Sequence, residues 1–139
     1  MAKLTELRPM LIANDLTETI GFYTSRLGFE CTGMWTPPDH EDGVPVWCQV
    51  VRDGVALMFN KGDPEPHEHE NAPGLIHADV PEMSGSIYIN VDDVDALFAE
   101  LQPTVETFEW EPATFPHGMR EFALRDCNGY LLVFGADAG

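Results

Sequence analysis

Two stretches decide how this chain folds. They are Val51-Arg52-Asp53-Gly54-Val55-Ala56-Leu57-Met58-Phe59 and Leu124-Arg125-Asp126-Cys127-Asn128-Gly129-Tyr130-Leu131-Leu132-Val133-Phe134. Each sets Arg-Asp and a glycine turn between two apolar runs, the pattern of a β-hairpin. Each is also preceded by a similar opening: a short apolar strand, an acidic cap and an amphipathic helix. Asn14-Asp15-Leu16 starts the first helix and Asp92-Asp93-Val94 the second. The caps at positions 15 and 92 lie 77 residues apart, and the turn glycines at 54 and 129 lie 75 apart. So steady an offset describes one unit written twice. Duplicated modules tend to turn equivalent surfaces towards each other, so a cleft between them is the expected site.

Working outward, the first unit reads as a strand over residues 8–13 and a helix capped by Asp15, with Glu18 three residues on in a capping-box-like pattern. Leu16, Ile20, Phe22, Tyr23 and Leu27 recur at helical spacing, and Gly28 supplies the stop. Strands over 29–35, 46–51 and 55–60 follow, the last two forming the hairpin. The second unit reads as a strand over 85–91, a helix over 94–101 and a strand over 105–110. A loop through Pro112 and Pro116 then leads to a hairpin over 119–124 and 130–134. Strand, helix and three strands, twice, is an α+β arrangement: two tandem βαβββ modules forming a curved, mostly antiparallel sheet around a cleft, each helix on the outer face. By size the 139 residues form one domain, with module one over 5–60, a Pro-rich linker over 61–83 and module two over 84–136.

Composition narrows the partners. Seven basic residues against 24 acidic ones give a net charge of −17. That field repels nucleic acid and anionic membrane and favours cationic ligands; an acidic surface serving salt tolerance is the plainer alternative. No apolar run approaches the roughly 20 residues a membrane span needs. The first residues lack the basic stretch, apolar core and cleavage site of a secretory leader. Cys31, Cys48 and Cys127 are odd in number and have no CxxC spacing. A reduced, cytoplasmic setting is expected, without structural zinc.

The wording of the two units resembles the vicinal oxygen chelate superfamily of glyoxalases, extradiol dioxygenases and bleomycin-resistance proteins. The resemblance rests on Asn14-Asp15-Leu16 through Phe22-Tyr23 and Leu27-Gly28-Phe29, on Gly85-Ser86-Ile87-Tyr88-Ile89-Asn90-Val91-Asp92-Asp93, and on Gly118-Met119-Arg120-Glu121-Phe122-Ala123-Leu124-Arg125-Asp126 with Asn128-Gly129-Tyr130. In metal-dependent members, four strand positions lining the cleft supply His, Glu or Gln ligands. The resemblance places Arg8, Ala56, Ser86 and Val133 there. An arginine is permanently cationic, Ala and Val offer no donor, and a serine hydroxyl is weak, so this set does not hold a divalent ion.

Alternation along the strands nominates the ligand-facing side chains. Arg8 and Met10 share one face of the first strand, Met58 lies on the matching face of the hairpin, and Ser86 and Tyr88 share the mixed face of the second module's first strand. Trp35, Trp47 and Trp110 occupy or end strands where an indole either fills a core or stacks on a planar or cationic ligand. Trp35 and Trp110 are taken as equivalent points of the two modules. His117 enters the last hairpin beside Gly118, where the resemblance implies a loop that overhangs the cleft mouth. Arg120 and Glu121 are assigned to pairing across that hairpin. His67-Glu68-His69-Glu70, with His40 and His77, falls in loops and reads as solvated sequence rather than a built metal site. The cysteines have no histidine neighbour and are not nucleophiles.

The expected protein is therefore a metal-independent binder of a small cationic or aromatic molecule, similar to the antibiotic-sequestering branch of the superfamily. It needs no cofactor and no catalytic residue, and it forms a homodimer. The alternative is a metal-dependent lyase, isomerase or dioxygenase using other oxygen donors, Glu6, Asn60 and Asn90 being nearest.

Overall fold

The computed structural model describes residues 1–38, 43–62 and 85–139. His40, His67, Glu68, His69, Glu70 and His77 lie outside them. The chain runs β1 (Met10–Ala13), α1 (Leu16–Arg26), β2 (Glu30–Trp35), β3 (Trp47–Arg52), β4 (Val55–Lys61), β5 (Ile87–Asn90), α2 (Val94–Leu101), β6 (Trp110–Thr114), β7 (Met119–Arg125) and β8 (Leu131–Asp137). Two four-stranded sheets result, in the orders β1-β4-β3-β2 and β5-β8-β7-β6. In each, the first strand of the module runs parallel to its last, and the other pairs are antiparallel. This is the α+β, twice-written βαβββ arrangement expected from the hairpins.

Local chemistry sets the helix ends. Asp15 is extended (φ −137°), and its carboxylate accepts the Glu18 N–H at 3.0 Å. Gly28 takes φ +73°, a left-handed conformation that costs glycine little, and ends α1. The second cap is Asp93, which accepts the Ala96 N–H at 3.0 Å, not the neighbouring Asp92. The true cap-to-cap offset, from 15 to 93, is therefore 78.

The third strand of module two is displaced from where periodicity put it. The chain leaves α2 through a turn over residues 102–104, and residues 105–109 are irregular: the Val105 N–H returns to the Leu101 carbonyl at 2.9 Å, and Val105 is buried. Phe108 packs against Phe98 and Phe122 at centroid distances of 4.7 and 5.9 Å. The strand starts only at Trp110 and runs through Pro112. Proline is tolerated because β6 pairs on one side alone, and its register slips between Trp110 and Ala113. Trp35 ends β2, whereas Trp110 begins β6, so the two are not equivalent. Following the ladders, Trp110 pairs with Ala123 and Ala123 with Val133. In module one, Gly33 pairs with Gln49 and Gln49 with Met58. The counterpart of Trp110 is Gly33.

One core spans both modules. Leu16, Tyr23 and Leu27 of α1 and Val94, Leu97 and Leu101 of α2 are buried against Leu57, Phe59, Phe122, Leu124, Leu132 and Phe134. Hydrogen bonds stitch the modules together. Tyr23 donates its hydroxyl to Asp126 at 2.7 Å, and Asn128 Nδ2 donates to Thr19 Oγ1 at 3.1 Å. The Tyr130 hydroxyl donates to the Ile12 carbonyl at 2.8 Å and accepts the Ile12 N–H at 3.0 Å. Arg52 grips Glu100 through two bonds of 2.7 and 2.9 Å while donating to the last turn of α1 at the Leu27 carbonyl, 2.8 Å away.

Candidate functional site

Each sheet buries one face against a helix and turns the other, here called the open face, away from it; on the second sheet Ala123 and Val133 of that face are themselves buried, at 0% and 4% exposure. On the first sheet, Leu57, Phe59, Cys48 and Val50 point into the core, so Ala56, Met58, Trp47 and Gln49 point out. Met10 pairs with Met58 and is 53% exposed; Trp35 pairs with Trp47 and is 54% exposed. The Trp47 ring lies flat across the sheet because β2 offers glycine beneath it: a Cβ at Gly33 would sit 3.1 Å from the indole. Arg8 reaches over this face, donating to Gln49 Oε1 at 2.7 Å and pairing with Glu6 at 2.8 Å. Gln49 Nε2 in turn donates to Thr32 Oγ1 at 3.0 Å, and Asn60 Nδ2 contacts the Met10 sulfur at 2.8 Å. Arg8, Met10, Trp35, Trp47 and Met58 therefore share one surface.

Ser86, Tyr88, Trp110 and His117 belong to the open face of the second sheet. Tyr88, 42% exposed, lies across Gly135, where any Cβ would collide with its ring and hydroxyl. Partial desolvation and a hydrogen bond with the Glu121 carboxylate push its phenol up. Glu121 itself is only 8% exposed. His117 Nε2 stands 3.9 Å from Glu121 Oε2, beyond hydrogen-bonding reach, and its ring lies 5.8 Å from that of Phe115. Phe115 meets Trp110 edge-on at 6.2 Å, and Trp110 Nε1 is buried with no hydrogen-bond partner among the described residues.

Glu121 is the residue that reading the sequence missed. Arg120 makes its main contacts not across the β7–β8 hairpin but on the helix side, through two 2.8 Å bonds to Asp95, with a longer bond of 3.3 Å to Thr114 on β6. Strict alternation would have found this. Phe122 and Leu124 must face α2, which puts Arg120 on the helix side and Glu121 among the ligand-facing residues.

No hydrogen bond, ion pair or ring contact among the described residues joins the two open faces. A cavity of about 610 Å³ between the modules lies instead on the helix side, floored by Leu27, Phe29, Ile89 and Phe134 with Arg52 and Glu100 at its rim. None of the nine nominated residues lines it. Arg52, the cation among its described lining residues, is committed to Glu100 and Leu27, and its floor is the shared core, so we read it as the seam between modules. The open faces, with their exposed sulfur and aromatic groups, are the candidate site.

The strand register also corrects the positions compared with metal ligands. Met10 pairs with Met58, and Tyr88 with Val133. Val133 therefore belongs with Met10, Met58 and Tyr88, while Arg8, Ala56 and Ser86 belong with Leu131; the turn offset of 75 already required this, since 56 and 131 are 75 apart. Neither set fits a divalent ion. Thioethers, a neutral phenol and an aliphatic side chain give no pair of hard or imidazole donors. Among the described residues no three His, Cys, Asp or Glu side chains converge.

Two four-stranded sheets, each built in the order β-α-β-β-β, define the class of fold. The chain belongs to the Glyoxalase/Bleomycin resistance protein/Dioxygenase superfamily, whose family model matches residues 7–134. Similar solved structures include TioX from Micromonospora sp. ML1, with TM-score 0.70 and 16% identity over 96% of this chain and 98% of that one. A bleomycin resistance determinant encoded on the transposon Tn5 has TM-score 0.68 and 20% identity over 96% and 98%. The bleomycin-binding protein of bleomycin-producing Streptomyces verticillus, solved with copper(II)-bleomycin, has TM-score 0.62 and 28% identity over 100% and 99%. No curated protein sequence matches. No helix among the described residues is long and apolar enough to cross a membrane.

Proposed function

We propose that this protein is a metal-independent binder that holds a small aromatic or cationic molecule on its open sheet faces and sequesters it. The observation that carries this reading is the pairing Met10–Met58 and Tyr88–Val133. The positions where metal-dependent relatives need ligands hold soft, apolar or phenolic groups, flanked by the exposed ring of Trp35. Such surfaces favour stacking and dispersion rather than proton transfer. The net charge of −17 adds a long-range attraction for cations. The 28% identical relative was solved with copper(II)-bleomycin, which makes a cationic glycopeptide antibiotic a reasonable first ligand.

Two open faces that do not contact each other within the described chain also support a homodimer, in which one copy's first sheet covers the second sheet of its partner. Sedimentation velocity at micromolar concentration should give twice the 15.5 kDa chain mass. Adding bleomycin should quench tryptophan fluorescence, with an affinity that weakens as salt rises. Unchanged fluorescence across a panel of cationic and aromatic antibiotics would remove sequestration of such drugs. Elemental analysis of protein purified without a histidine tag or chelator separates this reading from an enzyme: one tightly held equivalent of zinc, nickel or iron per chain would reject it.

A further inference from the structure

Among the described residues two carboxylates are buried, and the fold treats them differently. Asp126 accepts the N–H groups of Asn128 and Tyr130 at 2.9 and 2.8 Å and the Tyr23 hydroxyl at 2.7 Å. Its lone pairs are well used. Glu121, 8% exposed, has the Tyr88 hydroxyl as its hydrogen-bond donor, with His117 standing off at 3.9 Å. An ionised carboxylate taken out of water needs charged or multiple donors to offset its lost hydration. None of the five arginines supplies them. Arg8 pairs with Glu6, Arg52 with Glu100, Arg120 with Asp95 and Arg125 with Glu109, while Arg26 donates to the Thr104 carbonyl.

The surroundings are shaped for a flat guest. The strand neighbours of Glu121 are Gly135 and Ala113, the smallest available: Tyr88 takes the room over Gly135, and Ala113 sets no bulky side chain on the other side of the carboxylate. Tyr88 lies on the Gly135 flank, and on the other Trp110 meets Phe115 edge-on while the His117 ring tilts by 31° against Phe115. Anion below and rings around is the environment that recognises a delocalised planar cation, through paired charge-assisted hydrogen bonds and cation–π contact.

We infer that Glu121 is the specificity-determining anchor for an amidinium or guanidinium group of the ligand, set in a box made by Tyr88, Trp110 and His117. This rests on the binding reading of the open faces and adds to it the chemistry recognised on the second sheet.

Benzamidine and its neutral isostere benzamide separate the two claims. Titrated calorimetrically into the full-length protein, benzamidine should bind at least tenfold more tightly than benzamide. Glu121→Gln, which keeps the shape and a partner for Tyr88, should cost benzamidine at least tenfold and leave benzamide unchanged. In the wild-type protein, saturating benzamidine should shift the His117 ring resonances, a readout independent of any variant's folding. Equal affinity for the two probes, an unaffected E121Q protein, an unmoved His117 or no binding of benzamidine would each overturn the assignment. Quenching by the antibiotic panel alongside any of those results would leave the binding reading standing and remove only the anchor.

Discussion

Tyr23 on α1 and Asp126 in the β7–β8 turn, 103 residues apart in sequence, share a 2.7 Å hydrogen bond buried at the seam of the modules. Burial raises the Asp126 carboxyl, and hydrogen bonds from Tyr23 and from the backbone N–H groups of Tyr130 and Asn128 pull it back down. Tyr23→Phe removes one donor from an acceptor that water cannot reach. A loss of about 1.5–3 kcal/mol in unfolding free energy is expected, the range for bonds to charged groups. Urea denaturation of the variant beside wild type checks it.

The same tyrosine makes the fold alkali-sensitive. Burial first, then the charge of Asp126, lifts the Tyr23 phenol well above its ordinary 10.0, and burial raises Tyr130 as well. Above pH 10 the unfolded chain sheds these protons while the folded chain keeps them. The unfolded state then binds fewer protons, so stability falls as pH rises, by up to about 1.4 kcal/mol per pH unit for each group. Thermal melts from pH 8 to 11.5 should show a constant Tm followed by a decline, shallower in Y23F.

Arg52 and Glu100 tie the β3–β4 turn of one module to α2 of the other, but Glu100 is half exposed. Screening limits the pair, so Glu100→Gln should cost only about 0.5 kcal/mol. Arg52→Ala also abandons the Leu27 carbonyl and should cost more, about 1–1.5 kcal/mol. The Arg52 hydrogen bonds hold the Glu100 carboxyl below its usual 4.5. Its contribution is present above that value and lost as pH falls through the lowered one, a slope E100Q should abolish.

Burial pushes the thiols of Cys48 and Cys127 up to about 11. At pH 7.5 almost none of either is thiolate, the reactive form. Iodoacetamide should leave both unmodified in the native protein over an hour and alkylate both in 6 M guanidinium chloride, as read by peptide mass spectrometry.

Gly33→Val should evict the Trp47 ring from the open face of the first sheet, since even a Cβ there meets the indole at 3.1 Å. Because Trp47 is half-buried and can swing outward, the expected signature is altered near-ultraviolet circular dichroism and tryptophan emission with the core cooperativity retained.

Why the sequence disclosed the fold so well, and the site less so, follows from particular residues. Asp15, Gly28 and the two Arg-Asp turns act locally, through bonds to their own neighbours, and local rules read them correctly. Trp110 is not the counterpart of Trp35 because Val105 and Phe108 look like strand residues while Val105 is buried after α2 and Phe108 packs on Phe98 and Phe122. Nothing within that segment's own pattern separates the two uses. Alternation alone puts Glu121 on the ligand-facing side, but its burial beside Tyr88 and Gly135 comes from contacts that no short-range pattern discloses. The seam likewise depends on Thr19, Asn128 and Tyr130, ordinary residues until the modules meet.

Tyr130 has one more effect. Its hydroxyl occupies both backbone groups of Ile12 on the outer margin of β1, a margin that would otherwise offer a free row of donors and acceptors. Any strand arriving from another molecule to lengthen the first sheet must stop before Ile12, with only the stretch around Met10 left to zip onto. A single phenol thus works as a stopper, allowing a short, defined junction while denying the continuous ladder on which fibrils grow.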